Sequence, residues 1–292
     1  MEGEAVNGNQ SRTITQEEFQ MMNEYEAEQV KAIEVWKNEE PGVVSQTVGT
    51  LLKPVSWLVE KVVPEKVIEG ALNLSNSAAE FLTDKDDILR DGKVSRIEEL
   101  KTKSLELSDE LANSVHNWAI GIASAEGGAT GATGLVGMAV DIPALITLCL
   151  RTIHKVGLCY GYECKSEKDQ RFVFGILSVA GANSMKEKNI SVLSLRQVTV
   201  MLTKLTWKQI TEEAAKNKFG LAALVVLIKQ LAKQLGINLT KRKALQAIPF
   251  LGAGIGAAMN ASILQDVGWA ARRSFQERWL IENRKLALPD EG

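Results

Sequence analysis

Apolar residues recur at helical intervals along most of the chain, and the interruptions between them set the expected elements. Residues 1–12 have no periodicity and are expected to be disordered. Thr15 and Glu18 are spaced as a capping box, in which the hydroxyl takes a free backbone N–H and the carboxylate reaches back. Phe19, Met22, Tyr25, Val30, Ile33 and Trp36 follow at mostly helical spacing, and Pro41-Gly42 ends the run, which predicts one helix. Val43 to Leu82 reads as two short apolar helices punctuated by Pro54 and Pro64. The charged stretch 83–96, with its Asp91-Gly92 turn signal, is the candidate linker and sub-boundary in an otherwise single helical domain spanning 13–288.

Downstream, one amphipathic helix is expected from Ile97 to Ala125, with Leu100, Leu107, Leu111, Val115 and Trp118 on its apolar side. Ser166 to Asp169 reads as a cap for an apolar helix, Phe172 to Ala180, that Gly181 closes. Further helices are expected over Leu193–Lys216, Phe219–Leu235 and Thr240–Ala287, and only Ile190–Leu195 is ambiguous with a strand. The fold class is therefore all-α, a multi-helix bundle.

Two glycine-rich apolar segments stand out as its central helices. Gly127 to Leu150 carries one ionisable residue, Asp141, and Ala244 to Gln265 carries none. Each approaches the roughly 20 residues that a bilayer-spanning helix needs. Gly134 and Gly137 in the first, and Gly252 and Gly256 in the second, suit close backbone approach, and the basic cluster Lys241, Arg242 and Lys243 beside the second suits an anionic leaflet. Core packing is preferred over spanning, because small-residue segments are only modestly hydrophobic and Asp141 is costly in a bilayer centre. Asp141, before Ile142-Pro143, reads as an N-cap; the alternative is a buried carboxylate paired with Arg151 or an arginine of the C-terminal helix. Asn260 is expected to hydrogen-bond across a helix pair, with ligand binding as the alternative. Trp57, Trp269 and Trp279 are candidates for core or groove packing, or for interfacial anchors.

Composition narrows the function classes. Apolar residues make up 45% and charged residues 24%, and 34 basic against 36 acidic residues give a net charge of −2, which offers no field for nucleic acid. The acidic, polar start MEGEAVNGNQ does not resemble a secretory signal, so a cytoplasmic protein with reduced thiols is expected. Cys149, Cys159 and Cys164 read as buried small hydrophobes; His154, Cys159 and Cys164 do not match zinc spacing. GxxxxGK[ST], HExxH and GxSxG are absent, so no cofactor or metal is expected and an enzyme is disfavoured.

The ordered series Gly134-Leu135-Val136-Gly137, Asp141-Ile142-Pro143, Leu150-Arg151, Tyr160-Gly161-Tyr162-Glu163, Ile248-Pro249-Phe250-Leu251-Gly252-Ala253, Asn260 and Phe275-Gln276-Glu277-Arg278 resembles the bacterial EcsC protein family over residues 24–280. Tyr162 stands where that family usually has phenylalanine. The resemblance implies a helical fold and a link to membrane transport or secretion, with no catalytic residues to carry over. The leading expectation is a non-enzymatic protein whose partner is a lipid or protein at the inner face of the membrane. The alternatives are a soluble hydrolase or lipid- or small-molecule-binding protein with a pocket between the glycine-rich helices at Asp141, and a protein-interaction scaffold.

Overall fold

The computed structural model describes residues 16–41, 84–130, 134–204 and 252–288, with Gln230, Gln234 and Asn238; over 126–143 and 252–256 it describes the backbone. Among these residues the elements are α1 (Gln16–Met21), α2 (Glu24–Asn38), α3 (Asp86–Asp91), a 3-10 helix (Ile97–Thr102), α4 (Leu105–Thr130), α5 (Gly134–Cys159), α6 (Glu167–Ala180), α7 (Met185–Lys204) and α8 (Gly252–Glu282), with no strand. The fold is all-α. The helices expected over 43–82 and the basic cluster Lys241 to Lys243 lie outside the described residues, as does 205–229.

Local chemistry moves several expected boundaries. The run from Thr15 to Pro41 is two helices, because a second capping box restarts the chain at Asn23. Its Oδ1 accepts the Glu26 N–H at 2.8 Å while its own N–H donates to the Glu26 carboxylate at 2.9 Å. The expected helix from Ile97 also divides: a 3-10 turn buries Ile97 and Leu100, and Ser104, accepting the Leu107 N–H, opens α4. The charged stretch after residue 83 is not a linker in its described part, since α3 and the turn after it bury Ile88 and Val94 in the common core. At α6 the expected cap is present, with Ser166 and Asp169 exchanging both hydrogen bonds, and Gly181 ends the helix. Helix α7 begins at Met185, so the ambiguous Ile190–Leu195 is helical.

The first glycine-rich segment is likewise two helices rather than one, the end of α4 and the start of α5. Gly127 and Gly128, which each cost about 1 kcal/mol relative to alanine in a helix interior, are in the last turns of α4. Helix α5 then runs from Gly134 through Asp141 and Pro143, so Asp141 is inside the helix and does not cap it.

The long α8 is the spine. Its contacts with α4 run in opposite directions along the two chains. Gly268 lies on the His116 ring, Arg272 donates to Asn113 at 3.0 Å, and Gln276 donates to Asp109 at 2.7 and 2.8 Å. The pair is antiparallel. Helix α5 is antiparallel to α4 as well, with Arg151 over Trp118 and Tyr160 hydrogen-bonded to Asp109. Helices α5 and α8 are therefore parallel, and their register is close: Gly157 faces Phe275, each twenty-three residues into its helix. Carried back, that offset sets Gly134 level with Gly252. The glycine-rich ends of α4, α5 and α8 thus fall at one end of the bundle.

At the other end Phe275 is fully buried among Tyr160 and Tyr162, stacked at 6.1 and 5.7 Å between centroids, and Phe172, edge-on at 5.2 Å. Full burial of such a ring is worth about 2–3 kcal/mol. Arg278 closes this layer over Tyr162, 4.0 Å from the ring centroid, and pairs with Asp169 and Glu282 at 2.9 Å each. Burial opposes its charge, but Tyr162, Glu282 and Asp169 hold the guanidinium above its ordinary value. The chain leaves α5 through Gly161, whose φ of +89° and close contact with Lys101 leave no room for a side chain.

Two predictions follow from this packing. A Cβ at Gly268 would sit 2.0 Å from the His116 ring, whereas one at Gly121 meets nothing within 4 Å. G268A is expected to cost about 1–3 kcal/mol in urea unfolding, and G121A to be neutral or to gain up to about 1 kcal/mol. Burial, the largest cause for both, lowers the His116 and His154 pKa values to about 4. The unfolded chain takes up these protons near pH 6.5, before the folded chain does, so stability is complete above 6.5 and declines as pH falls toward 4. Denaturant midpoints measured across that window should fall, and less steeply in H116Q.

Candidate functional site

Helix α4 carries a carboxylate on its buried stripe. Asp109, 3% exposed, follows Leu105 by one turn and precedes Ala112 and His116 on the same face. It accepts from the Tyr25 hydroxyl at 2.7 Å, from the Tyr160 hydroxyl, and from Gln276 on both oxygens. Gln276 and Arg273 extend the network to Gln29 on α2, Arg273 donating at 2.9 Å to the side-chain oxygens of both glutamines. Burial first, and then Asp109, raises both phenols above their usual range, so the tyrosines act as donors. A buried carboxylate satisfied by neutral donors locks α2, α4, α5 and α8 at one point.

Arg273 also reaches the floor of a cleft of about 600 Å³ between α2, α6, α7 and α8. Trp36 and Trp269 form its aromatic walls, and Glu39, Glu40 and Asp266 supply acids. Lys188, also in the lining and nearly buried, donates to the Trp36 carbonyl and, at 2.6 Å, to that of Glu39, where α2 leaves carbonyls without helical partners. Burial lowers its pKa and, together with the nearby Arg272, that of Arg273. Arg272 and Arg273 cover the Trp269 ring at 4.6 and 5.0 Å. This volume is in the range of small-ligand sites.

Of the residues singled out in the sequence, Trp36 and Trp269 line this cleft, whereas the described glycines, Asp141, Arg151 and Asn260 are not in its lining. Gly134 and Gly137 are in the first turns of α5, and Gly252 and Gly256 in the first turns of α8. Asp141 and Arg151 share α5 at a separation of ten residues, about 15 Å along the axis, so the helix does not set the two positions side by side. Arg151 instead lies 5.4 Å over the Trp118 ring, with its Nε buried and without a hydrogen bond. Nor does the C-terminal helix offer a free arginine near Arg278, which is engaged by Asp169 and Glu282. Asn260 is buried on α8, but its Oδ1 has no partner, so the expected bond across a helix pair is not made by that atom. Trp279 is in the core, Trp269 in the cleft, and Trp118, placed by its spacing on the apolar side of α4, is 49% exposed.

The three cysteines are buried and none is in a disulfide. Burial pushes the Cys159 thiol well up, and both histidines are buried, so His154 with Cys159 or Cys164 presents no accessible nucleophile and base. Asp109, the residue with the densest side-chain network described, had a signal in the sequence, a lone acid on an apolar helical stripe. For the cleft the sequence marks Trp269 as a groove candidate but not the residues it meets, because the walls at Trp36 and Trp269 come from segments more than two hundred residues apart.

Helices locked by a buried polar cluster define an all-α helical bundle. The chain belongs to the EcsC protein family, whose model matches residues 27–280. It is similar to the uncharacterised protein YdbA of Bacillus subtilis (strain 168), at 23% identity over 272 residues covering 88% of this chain and 94% of the relative. No solved structure matches it.

D109A leaves two hydroxyls and an amide without an acceptor in the interior. It is expected to cost about 3–5 kcal/mol, against about 1 kcal/mol for Y25F, in urea unfolding monitored by circular dichroism.

Proposed function

We propose that this protein is a non-enzymatic helical protein that docks reversibly on a membrane surface with the glycine-rich end of its bundle. The observation that carries the reading is the shared level of three helix ends. From Trp118 to the end of α4, from Gly134 to Leu150 in α5 and from Gly252 to Gln265 in α8, the only charged residues are Glu126 and Asp141. Among the described residues no helix is long and apolar enough to cross a membrane. Contact from one side is the mode compatible with that limit. Burying Glu126 and Asp141 costs about 3 kcal/mol each at a bilayer centre, which keeps the association reversible. The family's transport or secretion connection is compatible with such a surface role.

The cleft supports a second reading, a small-molecule or lipid-binding protein. Its paired tryptophans and mixed charges suit a ligand with an apolar body and a polar end.

Sedimentation with large vesicles separates the two. Docking predicts that the intact chain pellets with vesicles of phosphatidylcholine and phosphatidylglycerol and is released by dilution. A chain that stays in the supernatant at every lipid concentration refutes docking, and binding of detergent-dispersed lipid that W36A and W269A reduce would favour the cleft.

A further inference from the structure

On the face of the α4–α5 hairpin, exposed character changes abruptly at one level. Toward the glycine-rich end, among the residues whose side chains are described, the exposed positions are Gly121, Ala125 and Ala144, with Ile122, Ser124, Thr147 and Leu148 half-buried. Away from it, the exposed residues of α4 are Glu106, Glu110, Asn113, Ser114 and Asn117. The boundary is occupied by Trp118, 49% exposed, with the Arg151 guanidinium 5.4 Å and the Lys155 ammonium 5.9 Å from its ring centroid.

The two cations differ. Lys155 is paired with Asp87 at 2.7 Å, so its charge is already balanced. Arg151 has no ion pair or hydrogen bond with another described residue, and its Nε is shielded from water without a partner. A guanidinium left this way retains a planar set of donors that matches phosphate, and an exposed indole beside it is the side chain that settles between headgroups and acyl chains.

The spacing fits the same layer. Trp118 lies twelve residues before Thr130, about 18 Å from the end of the bundle, close to the roughly 20–22 Å of one leaflet with its headgroups. Gly121, Ala125 and Ala144 would offer a protein partner little side-chain area, whereas a fluid lipid surface conforms to small residues. We infer that Trp118 and Arg151 form the headgroup contact of this protein, taking the phosphate of an anionic phospholipid while the glycine-rich end of the bundle, with Glu126 and Asp141 as the charged residues of its three helical stretches, meets the leaflet. The inference rests on the docking proposed above and assigns it an orientation and a lipid class.

The test uses the full chain, R151Q and W118F, with thermal unfolding to establish that both variants fold as the wild type does. In sedimentation with phosphatidylcholine vesicles containing about 30% phosphatidylglycerol, R151Q should partition about fivefold more weakly, as one surface arginine is worth about 1 kcal/mol, with a smaller change on pure phosphatidylcholine. Lipids brominated near the headgroup should quench wild-type tryptophan emission, and W118F should lose most of that quenching. Wild-type binding that R151Q matches, with quenching unchanged in W118F, overturns the headgroup assignment and leaves membrane docking standing. Absence of wild-type binding to either vesicle overturns both.

Discussion

Antiparallel packing of α4 on α8 is the constraint from which the rest of the bundle takes its geometry. Two features fix its register. Gly268 lets the backbone of α8 come within contact of the His116 ring, which a larger residue would push away. Two helical turns further on, Gln276 reaches both oxygens of Asp109. A slip of one residue along either helix would rotate these groups by about 100° and leave a carboxylate without donors in the interior. Steric fit and hydrogen-bond satisfaction therefore specify the same register. Because Asp109 also takes the hydroxyls of Tyr25 and Tyr160, that register is passed on to α2 and to the end of α5.

The bundle is chemically polarised as a result. One end contains the buried polar cluster, the Phe275 aromatic layer and the Arg278 ion pairs, all of which depend on side chains converging in a dry interior. The opposite end collects the glycine-rich starts and finishes of helices and only two charges in three helical stretches. The first end supplies fixed contacts that hold α2, α4, α5, α6 and α8 together. The cleft with Trp36 and Trp269 occupies the side of α8 where α2, α6 and α7 meet, and Arg273 connects its floor to the Asp109 cluster.

Much of the helix content was legible in the sequence because it rests on short-range chemistry. The Ser166–Asp169 cap, the stop at Gly181 and the burial of Val30, Ile33, Leu111 and Val115 all follow from spacings of three or four residues. The structure departs from those spacings where an equally local signal interrupts a run, as at the Asn23 capping box, and in the glycine-rich stretch after Ala125. There a continuous apolar run suggests one helix, whereas α4 ends at Thr130 and α5 starts at Gly134 and runs antiparallel to it. Trp118 was misplaced for a different reason. Its spacing fits the apolar stripe loosely, and only the neighbours on α5 determine that the position faces outward.

The sequence by itself determined the all-α class, the Ser166–Asp169 cap with its stop at Gly181, and the family to which the chain belongs, because these depend on residue type and near spacing along the chain. Tertiary structure alone decided which distant residues meet. Spacing within the sequence carries no information on the partnership of Asp109 with Gln276, on Arg151 lying over Trp118 rather than beside an acid, or on the shared level of three glycine-rich helix ends. Each depends on the register between helices, and that register is set by packing and buried hydrogen bonds that exist only after the helices have come together.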